Sequence, residues 1–214
     1  MARTATPRGG AAASDSAAIV AAKAAVMTAA GGTNNGLDAT DAQRASLEAV
    51  ICELEALNPT PDPASSPLVD GNWRVVYSTA PPPSNGSLGP FKGVAYQDIS
   101  LADGSYVNVL AVPPNDWLGA RLVAGWDAVK DETGRAGRLW VVDFRSVTVR
   151  LFGCDLFTKT FEDTTRVWDM TYVDEDTRVV RAARTMRGLR KEGARGRKAN
   201  AGVEDDCVFV MVRA

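Results

Sequence analysis

Histidine is missing from the chain altogether. Its absence excludes histidine-activated serine or cysteine nucleophiles, histidine-ligated zinc, facial-triad iron and histidine-ligated haem. Cysteine is scarce: Cys52, Cys154 and Cys207 are odd in number, far apart and without a C-x-x-C pair. That pattern speaks against a disulfide framework and a cysteine zinc site, and it suits a reducing compartment. Long apolar runs are lacking as well. The most apolar stretches, Leu139 to Val142 and Cys207 to Val212, are strand-length, far short of the roughly 18 residues a spanning helix needs. The formal charge of −2 gives no general attraction to nucleic acid, so any basic surface must be local.

A helical region, a rigid linker and a series of strands follow one another along the chain. Residues 1–14 carry Arg3 and Arg8 but no acid; they read as a disordered tail or as the remnant of a transit peptide. Residues 15–63 form the helical segment with its linker. From Ser16 to Ala30, residues Ile19, Val20, Val26 and Met27 recur at helical spacing up to the stop at Gly31-Gly32. A second helix, capped by Thr40 or Asp41, carries a stripe of Leu47, Val50, Ile51, Leu54 and Leu57 that needs a surface to cover. Asn58-Pro59-Thr60-Pro61-Asp62-Pro63 ends helical structure, because each proline removes a backbone donor and biases its predecessor toward extended geometry.

Over residues 64–214 the period changes to two. Strands are expected from Trp73 to Ser78, Gly93 to Leu101, Ser105 to Val112, Ala120 to Val129, Arg138 to Phe144, Val147 to Phe152, Thr165 to Val173, Thr177 to Ala182 and Cys207 to Arg213. Asp103-Gly104 is a two-residue hairpin signal. The fold expected is mainly β, an antiparallel barrel of about eight strands with two N-terminal helices, a size that could hold one small apolar ligand.

Two apolar stretches stand out. Leu151 to Phe157 with Phe161 crowds aromatic residues around Gly153; it reads as a greasy rim entering lipid, or as a buried strand or a loop packed on the helices. Trp117, beside Pro113-Pro114, reads as an interfacial anchor or a half-buried loop residue. Asp98, Asp143 and Asp169 fall in strand windows and could face a cavity. No phosphate-binding loop is present, since Gly86 to Gly93 lacks the G-K-S/T ending. No metal and no cofactor is expected.

Gly71-Asn72-Trp73 opens the first strand and is similar to the G-x-W signature of the lipocalin superfamily. Glycine lets the backbone pass close to the base of a barrel, and the indole plugs the narrow end beneath an arginine. The segments around it, LEALNPTPDPASSPLVDGNWRVVYST, then GPFKGVAYQDIS, the acidic turn from Tyr172 to Arg181 and the closing Cys207 to Arg213, resemble the plastid lipid-associated (fibrillin) family. The resemblance implies a non-enzymatic structural protein that binds lipids or isoprenoids such as fatty acids, carotenoids or prenylquinones. It also implies peripheral contact with a plastid membrane or lipid droplet, on the stroma-facing side or at plastoglobules. Trp73, Val75, Tyr77 and Tyr96 would line the barrel interior, and Gly71, Trp73, Arg178 and Arg181 would close its base. Two alternatives stay open: a barrel enzyme (isomerase, cyclase or hydrolase) acting on a lipid, and a scaffold with a filled barrel.

In one place the chain departs from the family pattern. Residues 182–206 form an insertion carrying Arg184, Arg187, Arg190, Lys191, Arg195, Arg197 and Lys198. This basic cluster has the sign that attracts anionic headgroups, at about 1 kcal/mol per residue near a surface. A nucleic acid would feel the same field but is not the partner expected, and a solvated loop is the third reading.

Overall fold

The computed structural model describes residues 9–130, 136–162, 164–183 and 207–214. Helix α1 runs Gly9–Ala30 and helix α2 Asp41–Ala56. The first begins earlier than the expected Ser16, in keeping with the helix preference of Ala11 to Ala13. The second starts at a capping box: Gln43 N–H donates to Thr40 Oγ1 (3.2 Å) while Thr40 N–H donates to Gln43 Oε1 (2.9 Å). After α2 the proline-rich linker folds into two 3-10 turns, Pro63–Ser65 and Pro67–Val69.

Among the described residues eleven strands follow: β1 (Gly71–Ser78), β2 (Ser87–Leu88), β3 (Phe91–Lys92), β4 (Val94–Ser100), β5 (Ser105–Val112), β6 (Leu118–Lys130), β7 (Ala136–Leu151), β8 (Cys154–Thr160), β9 (Thr165–Val173), β10 (Thr177–Ala183) and β11 (Cys207–Arg213). Eight of them close an antiparallel barrel in the order β1-β4-β5-β6-β7-β9-β10-β11, with β11 returning to β1. β2 and β3 form a separate small hairpin.

β7 is one strand where the sequence suggests two. Its first half pairs with β9, from Leu139↔Asp169 to Asp143↔Thr165, and its second half pairs with β8, from Ser146↔Thr160 to Leu151↔Cys154. β8 was expected as a strand only in the reading that made Leu151 to Phe157 a buried one. All seven of its residues are exposed, so it lacks the alternation that marks a strand covering a core.

Two cores result. Inside the barrel lie Trp73, Val75, Ile99, Tyr106, Trp140, Trp168, Met170, Phe209 and Met211. Outside it, α1 and α2 lay Val26, Leu47, Ile51 and Leu54 on Tyr77, Tyr172, Val179, Val208 and Val210 of β1, β9, β10 and β11. Each such buried aliphatic side chain stabilises the fold by about 1.5–3 kcal/mol relative to exposure. Polar ties hold the helices on this wall. Arg181 donates to both carboxylate oxygens of Glu55 (2.8 and 2.9 Å) and meets Glu48 at 2.7 Å. Lys23 pairs with Asp174 (2.9 Å) and with Asp176 in the β9–β10 turn.

Candidate functional site

The antiparallel register sends the start of β1, the ends of β4 and β6 and the starts of β5, β7 and β10 to one end of the barrel. This end is closed. Gly71 sits at φ +109°, a backbone conformation that L side chains rarely adopt and that makes glycine the fitting residue here, and an added Cβ would also come within 2.6 Å of Arg213 Nη1. Trp73 donates its indole N–H to Val69 O (3.0 Å), and Trp140 donates to Ala64 O (2.8 Å). The two 3-10 turns are thereby fastened across the opening. Arg213 lies 4.0 Å from the Trp73 ring and also donates to Leu68 O (2.8 Å) and Asp70 O.

Above this plug the interior is filled by side chains. Trp126 stacks on Trp140 at 4.0 Å, Tyr106 meets Trp168 edge-on at 4.9 Å, and Trp168 lies on Phe209 at 5.9 Å. A cavity of about 20 Å³ lies toward the other end, against Val75, Ala95, Asn108, Leu110, Leu122 and Val147, with Pro83 and Ser84 overhanging it. Its volume suits water and falls well short of the few hundred Å³ that a lipid occupies.

Among the described residues one charged side chain is sealed inside. Arg178 is 0% exposed. Its Nη2 donates to Gln97 Oε1 (3.0 Å), its guanidinium lies 5.7 Å from the Trp73 ring, and its Nε and Nη1 have no partner. Burial pulls its pKa down to about 10, with Arg213 adding repulsion, so it remains charged at neutral pH. Its neighbour Tyr106 donates to Asn108 Oδ1. Burial holds that phenol well above its ordinary range, against the pull of Arg178, so it supplies no counter-charge.

At the open end the apolar side chains turn outward. Phe91 meets Trp117 at 5.1 Å, and Trp117 meets Phe152 at 5.9 Å. Closure of the barrel thus joins the β2–β3 hairpin, the β5–β6 turn and the β7–β8 turn into one aromatic rim. Phe152 is 76% exposed, and Leu156 and Phe157 on β8 are 66% and 58% exposed. Of the readings open for Leu151 to Phe157, the structure shows neither burial nor packing on the helices.

The expected site residues are distributed as follows. Trp73 and Val75 face the interior. Tyr77 does not: a bulge between Val75 and Tyr77 shifts the register, placing its ring in the outer core beneath the helices. Tyr96 lies between the inward-facing Ala95 and Gln97, half-buried at the border of the cavity. Arg178 is inside near the base, whereas Arg181 is on the outer wall bound to α2, so it does not close the barrel. Arg213 covers Trp73 in its place. Its register partner on β1 is Trp73 itself, the signal by which sequence reasoning could have found it.

Among the acids considered for chemistry, Asp169 pairs with Arg138 (2.5 Å), Asp98 is exposed and Asp143 accepts from Thr165 (2.6 Å). None of the three lines the cavity. Among the described residues no cluster of metal-ligating side chains occurs, and no helix is long and apolar enough to cross a membrane. Arg184, Arg187, Arg190, Lys191, Arg195, Arg197 and Lys198 lie outside the described residues.

Comparison with known proteins gives no match among curated proteins and none among solved structures. The PAP_fibrillin family model matches residues 20–118, a span that takes in the second half of α1, the whole of α2, the plugging turns, the G-x-W strand and the rim residues Phe91 and Trp117. Over these residues, a little under half of the chain, it is similar to the plastid lipid-associated protein, or fibrillin, family.

Proposed function

We propose that the protein is a non-enzymatic structural component of plastid lipid assemblies, a membrane or plastoglobule, and that it meets the lipid with the open end of its barrel. One observation carries this reading: the interior is packed with side chains, while exposed large apolar residues gather on the rim and β8. Trp and Phe side chains on turns at one end of a rigid body suit the headgroup–acyl boundary, where a partly polar ring gains from both sides. The chain's connectivity adds to this. Ala183 and Cys207, which flank the basic segment 184–206, lie at the same end of the barrel as the rim, and basic residues have the sign that favours an anionic surface.

Flotation with vesicles tests the reading. The wild type and a Trp117→Ser/Phe152→Ser/Phe157→Ser variant are mixed with phosphatidylcholine vesicles containing phosphatidylglycerol. The wild type floats and the variant stays behind at an unchanged melting temperature. Equal flotation of the two would overturn the rim as the contact surface.

A further inference from the structure

We infer that a second copy of this chain pairs with β8 across a two-fold axis at Thr158, and that this pairing and lipid contact exclude each other. The pairing stands on β8 alone, while its competition with lipid rests on the function proposed above. β8 is the last strand of its sheet. Among the described residues it pairs only with β7, and all seven of its residues are exposed. One hydrogen bond gives the direction of its free backbone groups. Phe161 N–H donates to Arg145 O (2.9 Å), in the same register as Lys159↔Val147 and Phe157↔Val149. Hydrogen-bonded and non-bonded positions alternate along an antiparallel pair. Phe157 and Lys159 therefore turn their backbone groups to β7, whereas Thr158 and Thr160 turn theirs to the free edge. The Thr148 and Thr158 hydroxyls, 3.0 Å apart, fit the closer approach of a non-bonded pair.

A free edge of this kind accepts another strand, and three features select a copy of β8. An axis at Thr158 lets the two Thr158 residues exchange N–H and C=O bonds, a self-complementary contact of the kind two-fold assembly needs. The same axis sets Phe157 opposite Lys159 of the second copy. Lys159 is the cross-strand neighbour of the cavity-lining Val147, so it points inward, and an inward lysine turns away foreign strands. The Phe157 ring of a copy accepts it through a cation–π contact, as the Phe161 ring does at 5.7 Å within the chain. Lastly, Leu156 and Phe157, 66% and 58% exposed, gain cover. The axis reverses the strand direction, so the two mouths point opposite ways and cannot meet one lipid surface together. A single edge of seven residues makes a contact below the roughly 1,200 Å² of stable complexes, so the dimer is weak and yields to lipid.

Sedimentation equilibrium of the full chain at about 10 to 500 μM, where weak association is populated, tests the pairing. The wild type is expected to rise twofold in mass with concentration. Thr158→Pro removes an N–H that β7 does not use, so it should stay monomeric and still float. Should that variant fail to fold, Thr158→Lys decides by placing like charges on the axis. With Cys52, Cys154 and Cys207 replaced by serine, Thr158→Cys should cross-link to its copy in air, since Cα atoms of such a pair lie about 5.5 Å apart, and Asp155→Cys should not. Vesicles containing phosphatidylglycerol should convert the dimer to bound monomer. A wild type that stays monomeric leaves the edge to another occupant and overturns the pairing, as does a dimer that survives Thr158→Pro and Thr158→Lys, or equal cross-linking at 155 and 158. A dimer that persists on vesicles overturns the competition alone. A wild type that dimerises without floating sinks the lipid contact and leaves the pairing standing.

Discussion

At the base of the barrel and along its helix-covered wall, large side chains are buried and tied. Trp73 and Trp140 hold the 3-10 turns, Arg213 covers Trp73, and Glu55 and Asp174 anchor the helices. At the mouth and on β8, side chains of similar size, Phe152, Leu156 and Phe157, are exposed, and Phe152 meets the Trp117 ring. The same residue types thus serve opposite ends: at the base they are part of the folding free energy, and at the mouth they add little to it. Residues that folding does not need are free to be chosen for contact with something else.

If that contrast is sound, substitutions should rank by location. Trp73→Ala should cost the most, about 3–5 kcal/mol, as expected for a truncated core aromatic; urea unfolding measures it, and a loss under 1 kcal/mol, roughly the level of a typical single substitution, would mean that the base is no plug. Glu55→Gln, which discharges the acceptor of Arg181 on the covered wall, should cost about 1.5–3 kcal/mol, the range for hydrogen bonds to charged groups. Thr40→Ala removes the capping box of α2 and should cost about 1 kcal/mol.

A smaller effect should appear in acid. Asp176 is held below its ordinary value of 3.8, first by hydrogen bonding to Lys23 and then to Thr177. A carboxyl depressed in the folded state stabilises the fold fully above its unfolded pKa, and the contribution fades as pH falls through the folded value. Asp176→Asn should therefore lose stability at neutral pH and converge with the wild type in strong acid, as melting curves across pH would show. Phe152→Ser should be smallest of all, within about 0.5 kcal/mol of the wild type, and yet reduce flotation. A large loss of stability there would erase the contrast between the two ends.

Much of the architecture was legible because its signals are local. β5 and β11 match their expected bounds, and the expected β9 does too, since turn residues and alternating apolar positions mark them. β8 was not legible, because exposed residues carry no alternation, and β7 was divided at Arg145-Ser146 although its pairing simply changes partner there. Tyr77 was assigned to the wrong side because a single bulge inverts a period-two count. The site suffered more. Trp117 and Phe152 were each suspect alone, but closure of the barrel brings them together and adds Phe91, and no linear spacing encodes that. The missing partner of Arg178 is invisible in sequence for the same reason: charge balance is settled by which strands close the ring.

The pairing of β11 with β1 bears on how the protein is made. These strands are separated by residues 79–206, and Trp73 meets Arg213 across their ladder. Non-local pairing of this kind bears a large loop-closure entropy and folds slowly. Until residues 207–213 have been added, β1 and β10 each present an unpaired edge, and Val208, Phe209, Val210 and Met211 are missing from both cores. A chain without β11 therefore exposes two unpaired strand edges and aromatic surface, the features that make a folding intermediate prone to aggregate.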